Sequence, residues 1–289
     1  MENYVFTEKK VPCAVLMSGS GSNAEALLSF ERAFEACPYH IAVLATDAPE
    51  SSRAREIAAR FDLPLVEHDI RRFYREHGEE SIKLDSPRRR ELREVWSNEF
   101  YAKIMAFAPR FACFAGFVPL SNIAVRLPCL NVHPGDLTRC DDAGVRLYAG
   151  LHVLPVERAI LNGEKALRSS VILVQPYTGD GAKEMDAGAV LGISAPLPVE
   201  PGHFTLAELA EMKEARKPGV QCCDALRKIA LEHIERLKIM GDHVVFPRVT
   251  ADFAAGFFAV EEEQLFYRKE KVLSVEYTIE SAPRPLLIS

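Results

Sequence analysis

Short apolar runs alternate with helical patterns along the first two thirds of the chain, and the connections between them are short. Val11–Met17 is apolar throughout, a helical pattern starts at Ala24, and residues 40–46 form the next apolar run. Strands that are apolar throughout are typical of parallel sheets buried on both faces. The alternation therefore predicts the α/β class, with a doubly wound, mostly parallel, Rossmann-type sheet.

The chain has 289 residues, which is room for one domain of about 200 residues and a smaller one. From residue 241 onward the pattern changes to short strand-like runs separated by charged turns. We predict a main domain over residues 1–240 and a β-rich extension over residues 241–289. This small C-terminal β appendage is a candidate for a contact in a homodimer.

Composition excludes several classes of protein. A net charge of −6 argues against binding nucleic acid through overall charge. No apolar stretch approaches the ~18 residues of a membrane span, and the start of the chain has no signal-peptide pattern. The seven cysteines are scattered and lack metal-ligand spacing. We therefore expect reduced thiols in a cytoplasmic protein that holds no metal and contacts neither membrane nor nucleic acid.

The strongest local signal for a site is a strand that breaks at Pro134-Gly135. Asn131 and His133 are two residues apart on this strand, so both side chains point to one face. The ends of strands in an open α/β sheet are where ligands bind. An imidazole that titrates near neutrality and an amide donor would lie side by side there. The alternative is a histidine that only caps a loop.

A glycine–serine turn follows the first apolar run and precedes the first helical pattern. Strand, turn and helix in this order present backbone N–H groups and a helix N-terminus to an anion, which predicts a phosphate site. The alternative is an ordinary helix cap by Ser22 or Asn23. The predicted phosphate-binding residues are Gly19, Ser20, Gly21, Ser22 and Asn23.

Asp186 lies near the end of a glycine-rich loop over residues 177–188, between two strand-like runs. The pattern predicts a hairpin-like strand–loop–strand unit. An aspartate in such a loop is usually a turn former, and only proximity to His133 would give it another role.

These motifs, in this order, resemble the folate-dependent formyltransferases, and most closely the glycinamide ribonucleotide formyltransferases. The resemblance covers roughly residues 11–235. It rests on the Ser-Gly-x-Gly-Ser-Asn turn, on Asn-x-His-Pro, and on Asp-x-Gly about 50 residues later. The matching segments are residues 18–23, 114–117, 130–134, 148–152, 170–171 and 185–190.

The resemblance implies an enzyme that transfers a formyl group from 10-formyltetrahydrofolate, its co-substrate, to a primary amine. It assigns Asn131, His133 and Asp186 to catalysis, and Glu232 to the ribose and amine side of the acceptor. A tetrahedral intermediate bearing an oxyanion needs donors aimed at that oxygen, and neither a metal nor a covalent intermediate. The residues implied in folate binding are Phe117, Val118, Pro119, Gly181 and Glu184.

The sequence also departs from the family pattern. Val118-Pro119 occupies the place of a basic residue near the folate, and extra residues precede Gly150. The loop before Asp186 is longer, and another insertion lies between about residues 200 and 222. The resemblance makes glycinamide ribonucleotide, in purine biosynthesis, the leading acceptor, and these departures keep alternatives open. Another phosphorylated amine such as an amino-sugar nucleotide, hydrolysis of the formyl-folate, and a non-catalytic ligand-binding paralogue are the alternatives.

Overall fold

The computed structural model describes residues 2–176, 186–217 and 223–287. The loop residues Gly181 and Glu184 lie outside this described part. The strands are β1 (Glu2–Asn3), β2 (Val11–Met17), β3 (Tyr39–Thr46), β4 (Leu65–Glu67), β5 (Phe111–Phe114), β6 (Cys129–His133), β7 (Ala166–Leu167), β8 (Ser170–Leu173), β9 (Val190–Ser194), β10 (Leu197–Pro198), β11 (Phe258–Glu261), β12 (Gln264–Tyr267), β13 (Glu270–Lys271), β14 (Ser274–Tyr277) and β15 (Arg284–Leu286).

The α-helices follow the predicted alternation through the first part of the chain. They are α1 (Ser22–Ala33), α2 (Ala54–Phe61), α3 (Ile70–Glu76), α4 (Pro87–Met105), α5 (Leu154–Leu161), α6 (Leu206–Glu214), α7 (Ala225–Leu237) and α8 (His243–Ala254). A 3₁₀ turn spans Asn122–Val125, and a π-helical turn over Lys238–Asp242 joins α7 to α8.

Nine strands form the central sheet in the order β15-β14-β9-β8-β6-β5-β2-β3-β4. The chain builds outward from β2 through β3 and β4 on one side, then returns to β5 and β6 on the other. This reversal is the topological switch point of the sheet, where ligands bind at the carboxyl ends of strands. Only β8 and β15 run against the other strands of the sheet. The predicted α/β class with a mostly parallel sheet is confirmed.

The apolar run of β2 is buried on both faces because helices cover both sides of the sheet. Cys13, Val15 and Met17 point into a core shared with α1, α2 and α8. Ala14 and Leu16 point the other way, into a core shared with α3 and α4. None of the helices in the described part of the chain is long and apolar enough to cross a membrane.

The predicted hairpin around Asp186 is present, since β8 and β9 pair antiparallel on either side of it. Gly188 approaches the neighbouring backbone closely, because a Cβ at this position would lie 1.5 Å from the carbonyl oxygen of Leu173. Any side chain would force the two strands apart. The glycine of Asp-x-Gly therefore sets how near the aspartate comes to β8.

The small C-terminal β appendage that the sequence predicts is present, although it does not take in the whole C-terminal segment. β1, β11, β12 and β13 form a small antiparallel sheet, but β14 joins the central sheet parallel to β9. The prediction of β structure from residue 241 is wrong for His243–Ala254, which form a buried helix in the main core. Several β-branched residues and Pro247 obscure this helix in the sequence, and burial of its apolar residues outweighs their low helix propensity. The predicted boundary at 240/241 falls inside the π-helical turn.

Candidate active site

A cavity of about 460 Å³ opens at the carboxyl ends of β5 and β6, beside the topological switch point. Its size is in the range that encloses a small-molecule ligand. In the described part of the chain, its walls come from the segment after β5, the end of β6, the residues around Gly150, the end of β8, the residues just before β9, and one face of α7 with the π-helical turn after it. The cavity brings Asn23, Phe117, Val118, Pro119, Asn131, His133 and Asp186 into one lining.

His133 is the last residue of β6 and is buried. Its Nε2 lies 2.7 Å from the carbonyl oxygen of Tyr148, and its Nδ1 lies 3.4 Å from Oδ2 of Asp186. Both ring nitrogens therefore face acceptors. The carbonyl of Tyr148 can only accept, so the ring donates from Nε2, and a second proton on Nδ1 would face the carboxylate.

Gly135 explains how the carbonyl of Tyr148 reaches the histidine ring. A Cβ on Gly135 would lie 2.6 Å from this oxygen and 2.9 Å from Nε2 of His133. Only glycine leaves room for the contact. Gly135 thus belongs to the packing of the catalytic candidate.

Asp186 is held from two sides in a left-handed conformation, with φ 61°. Its Oδ2 accepts from the backbone N–H of Gly150 at 3.0 Å. The guanidinium of Arg146 donates to the backbone carbonyls of Asp186 and Gly188, the latter at 2.6 Å. Arg146 and Gly150 both lie in the stretch after β6 where the sequence carries extra residues. These contacts fix Asp186 beside His133. An aspartate that only formed a turn would not need them.

Asn131 lies two residues before His133 and lines the same cavity. Among the described residues, its side-chain amide makes no hydrogen bond and is half-buried. The amide is therefore available to a ligand.

The glycine–serine turn leads directly into α1, whose N-cap is Gly21 with φ 73° and no side-chain cap. Ser22 and Asn23 are already helical, so the alternative of an ordinary side-chain cap is not what the structure has. The first-turn N–H groups of a helix have no intrahelical partners and favour anions. Of the predicted turn residues, Asn23 reaches the cavity lining.

Ser18, at the start of this turn, links it to the predicted folate rim. Its hydroxyl donates to Oδ1 of Asp47 at 2.5 Å and accepts from the N–H of Val118 at 3.0 Å. Phe117 is buried, while Val118 is 51% exposed at the mouth of the cavity. The turn and the rim are thus one connected wall.

Asp242 is a cavity residue that the sequence analysis missed. It is buried at the end of the π-helical turn, and accepts from Oγ of Ser169 at 2.5 Å and from Nδ2 of Asn23 at 3.1 Å. Burial raises the pKa of its carboxyl, against the effect of these two donors. A π-helical turn is often found at a functional site, but no local sequence signal marks this one.

Glu232, predicted on the acceptor side, is exposed on α7 and does not line the cavity. The face of α7 toward the cavity carries Arg227, Leu231 and Ile234 instead, and Lys238 follows at the start of the π-helical turn. Within residues 2–176, 186–217 and 223–287, no group of three or more metal-ligating side chains could hold a metal ion.

The fold is similar to solved structures of formyl-folate enzymes. Glycinamide ribonucleotide transformylase 1 from Symbiobacterium toebii superposes with a TM-score of 0.60 at 21% identity, over 92% of this chain and 98% of that one. Phosphoribosylglycinamide formyltransferase from Coxiella burnetii gives 0.58 at 19% identity, over 91% of this chain and 96% of that one. A formyltetrahydrofolate deformylase from Pseudomonas syringae gives 0.55 at 13% identity, over 89% of this chain and 66% of that one.

No protein-family model matches the sequence, and no curated protein does. At identities this low, the structural similarity speaks for the fold alone, and it extends over almost the whole chain. The resemblance found in the motifs is thereby confirmed at the level of the fold: the chain has the fold of the glycinamide ribonucleotide formyltransferases.

Proposed function

We propose that the protein transfers a formyl group from 10-formyltetrahydrofolate to the primary amine of a phosphorylated acceptor, with glycinamide ribonucleotide as the first candidate. The observation that carries the proposal is the position of His133 between the Tyr148 carbonyl and Asp186, in a cavity that also presents Asn131. This arrangement places an imidazole–carboxylate pair and a neutral amide donor together at one strand end.

The reaction requires the amine to attack the formyl carbon and N10 of the folate to leave. Negative charge develops on the formyl oxygen in the tetrahedral intermediate. The amide of Asn131 would donate to that oxygen, and the imidazole of His133 would add a positive charge beside it whenever both of its nitrogens carry a proton. Such stabilisation is usually the largest single contribution to such a reaction. The carboxylate of Asp186 would orient a water molecule that takes the proton that the amine loses. The same water would pass this proton to N10 as it departs.

The acceptor would lie between the first turn of α1 and the C-terminal end of the π-helical turn. Backbone N–H groups over Gly19 to Asn23 would hold its phosphate. Asp242, rather than the exposed Glu232, is the carboxyl beside this path, because it lines the cavity and bonds to Asn23. Phe117, Val118 and Pro119, on the rim that Ser18 connects to the turn, would contact the folate.

Hydrolysis of the formyl-folate is the second candidate, because a deformylase shares the fold at a TM-score of 0.55. The same groups would then act on a water molecule in place of the amine. The two reactions differ in whether turnover needs an acceptor.

An absorbance assay for the deformylated folate, with and without glycinamide ribonucleotide, tests the proposal. The variants are His133→Ala and Asp186→Asn, with the exposed His203→Ala as the matched control. Acceptor-dependent turnover that the site variants lose and the control keeps supports transfer to this amine. Turnover without acceptor indicates a hydrolase. No turnover with several phosphorylated amines in the wild type contradicts the proposal and leaves a binding paralogue.

A further inference from the structure

One wall of the cavity is a single face of α7 that continues into the π-helical turn. Arg227, Leu231 and Ile234 follow one another on the helix at helical spacing, and Lys238 follows at the start of the turn. The two cations are eleven positions apart, which is about 16 Å along a helix. An apolar stretch lies between them. Lys238 stands one turn before Asp242, at the end of the wall that the proposed acceptor occupies.

Arg227 has the weakest ionic contact of the cations around it. Its Nη1 lies 3.8 Å from Oε1 of Glu157. Glu157 is already bonded to Lys213 at 2.6 Å and to Arg216 at 2.7 Å. The guanidinium of Arg216 also donates to both carboxylate oxygens of Asp224. Three cations therefore share two carboxylates, and the excess positive charge falls on Arg227, the member of this cluster that lines the cavity.

Apart from Arg227, the described lining offers no unpaired cation that could neutralise an anionic group of a ligand at the Arg227 end of the cavity. The charged lining residues of the described chain, besides histidines, are Arg227, Lys238, Asp186 and Asp242. Lys238 bonds to Glu235 at 2.7 Å, and the rim at Val118 and Pro119 carries no charge. A planar guanidinium with spare donors matches the two oxygens of a carboxylate or phosphate.

We propose that Arg227 binds an anionic group, a carboxylate or a phosphate, at the end of a substrate that lies along the apolar stretch of α7. The inference rests on the proposed function and adds a second anion site to it, far along the wall from the turn of α1. The group is either the glutamate carboxylate of the formyl-folate or a second anion of the acceptor.

The test compares Arg227→Gln and Arg227→Lys with Lys228→Gln, a neighbour on the same helix that is exposed and does not line the cavity. Binding is measured by calorimetry, without turnover, using a reduced folate and its analogue that lacks the glutamate. The same titration is made with glycinamide ribonucleotide. Loss of a charge-assisted hydrogen bond predicts about 10- to 100-fold weaker binding of the substrate that carries the anion in Arg227→Gln, and a smaller loss in Arg227→Lys.

If the carboxylate of the folate is the group, Arg227→Gln weakens binding of the intact folate but not of the analogue. If the acceptor carries it, only binding of the ribonucleotide weakens. Unchanged binding of both substrates in Arg227→Gln overturns the proposal. Should that variant fail to fold, unchanged binding in Arg227→Lys does so, because lysine lacks the two-pronged geometry. An inactive wild type that still binds through Arg227 would contradict the proposed reaction alone.

Discussion

Arg146 holds Asp186 by its backbone: its guanidinium donates to the carbonyl oxygens of Asp186 and Gly188, on both sides of Ala187. Burial lowers the pKa of this guanidinium, and the charge of Asp186 opposes that effect. The contact fixes the left-handed backbone of Asp186, while Gly150 fixes its carboxylate. Arg146 is therefore a positioning residue, which acts on His133 through the aspartate.

Arg146→Ala should lower kcat about 100-fold and leave KM nearly unchanged. Without Arg146 the carboxylate of Asp186 shifts, and a displacement of about 1 Å in a catalytic group can lower the rate about 100-fold. Arg146→Lys keeps the charge but cannot reach both carbonyls, so an intermediate loss is expected. Arg139→Ala is the control, since Arg139 lies in the same segment and pairs with Glu164 at the surface. The ¹⁵N shifts of the His133 ring should move in Arg146→Ala and not in the control. Unchanged shifts would show that Arg146 does not position the pair.

Asn131→Ala should reduce kcat by about 100- to 1,000-fold, the usual cost of removing one donor to a developing oxyanion. The free energy of unfolding should stay within about 0.5 kcal/mol of the wild type, because the amide makes no hydrogen bond with the described residues. Steady-state kinetics and urea unfolding measure the two effects. A large loss of stability with normal turnover would assign Asn131 a structural role instead.

The proximity of site residues that are close in sequence could be predicted. The proximity of residues that only the fold brings together could not. Asn131 and His133 share one strand end, so their proximity follows from strand geometry alone. Asp186 needed the hairpin of β8 and β9 to reach His133. Asp242 approaches the site from the π-helical turn far along the chain, and Arg146 from the irregular stretch after β6; neither carries a local signal. Glu232 was predicted from a motif across a gap in spacing, and its side of α7 faces away from the cavity.

Gly188→Ala should destabilise the protein by about 2 kcal/mol or more, since overpacking beside a backbone atom forces strands to shift. The added Cβ would meet the carbonyl oxygen of Leu173. Gly19→Ala is the matched control, because a Cβ there meets no atom within 4 Å. Urea unfolding of both variants measures the difference. Equal free energies of unfolding would mean that the hairpin accommodates the added methyl group without losing stability. The close approach of Gly188 to Leu173 would then not fix the position of Asp186.

Asp242→Asn should change how stability depends on pH. Burial raises the pKa of Asp242 in the folded state above its unfolded value of about 3.9. Between these two values the native protein keeps a proton that the unfolded chain has released. The free energy of unfolding of the wild type therefore falls as pH rises through this window, and the penalty is fully present above the folded pKa.

Asparagine does not titrate, so the stability of Asp242→Asn relative to the wild type should increase as pH rises from about 4 toward neutrality, by about 1.4 kcal/mol for each unit by which the pKa is raised. The variant also loses one acceptor for Ser169 or Asn23, but that loss is the same at every pH. Asp252, whose pKa burial also raises, is present in both proteins and cancels in the comparison. Urea unfolding of both proteins at several pH values gives the difference. Parallel curves would show that Asp242 stays ionised in the folded protein at low cost, in which case a buried carboxylate faces the acceptor throughout this range.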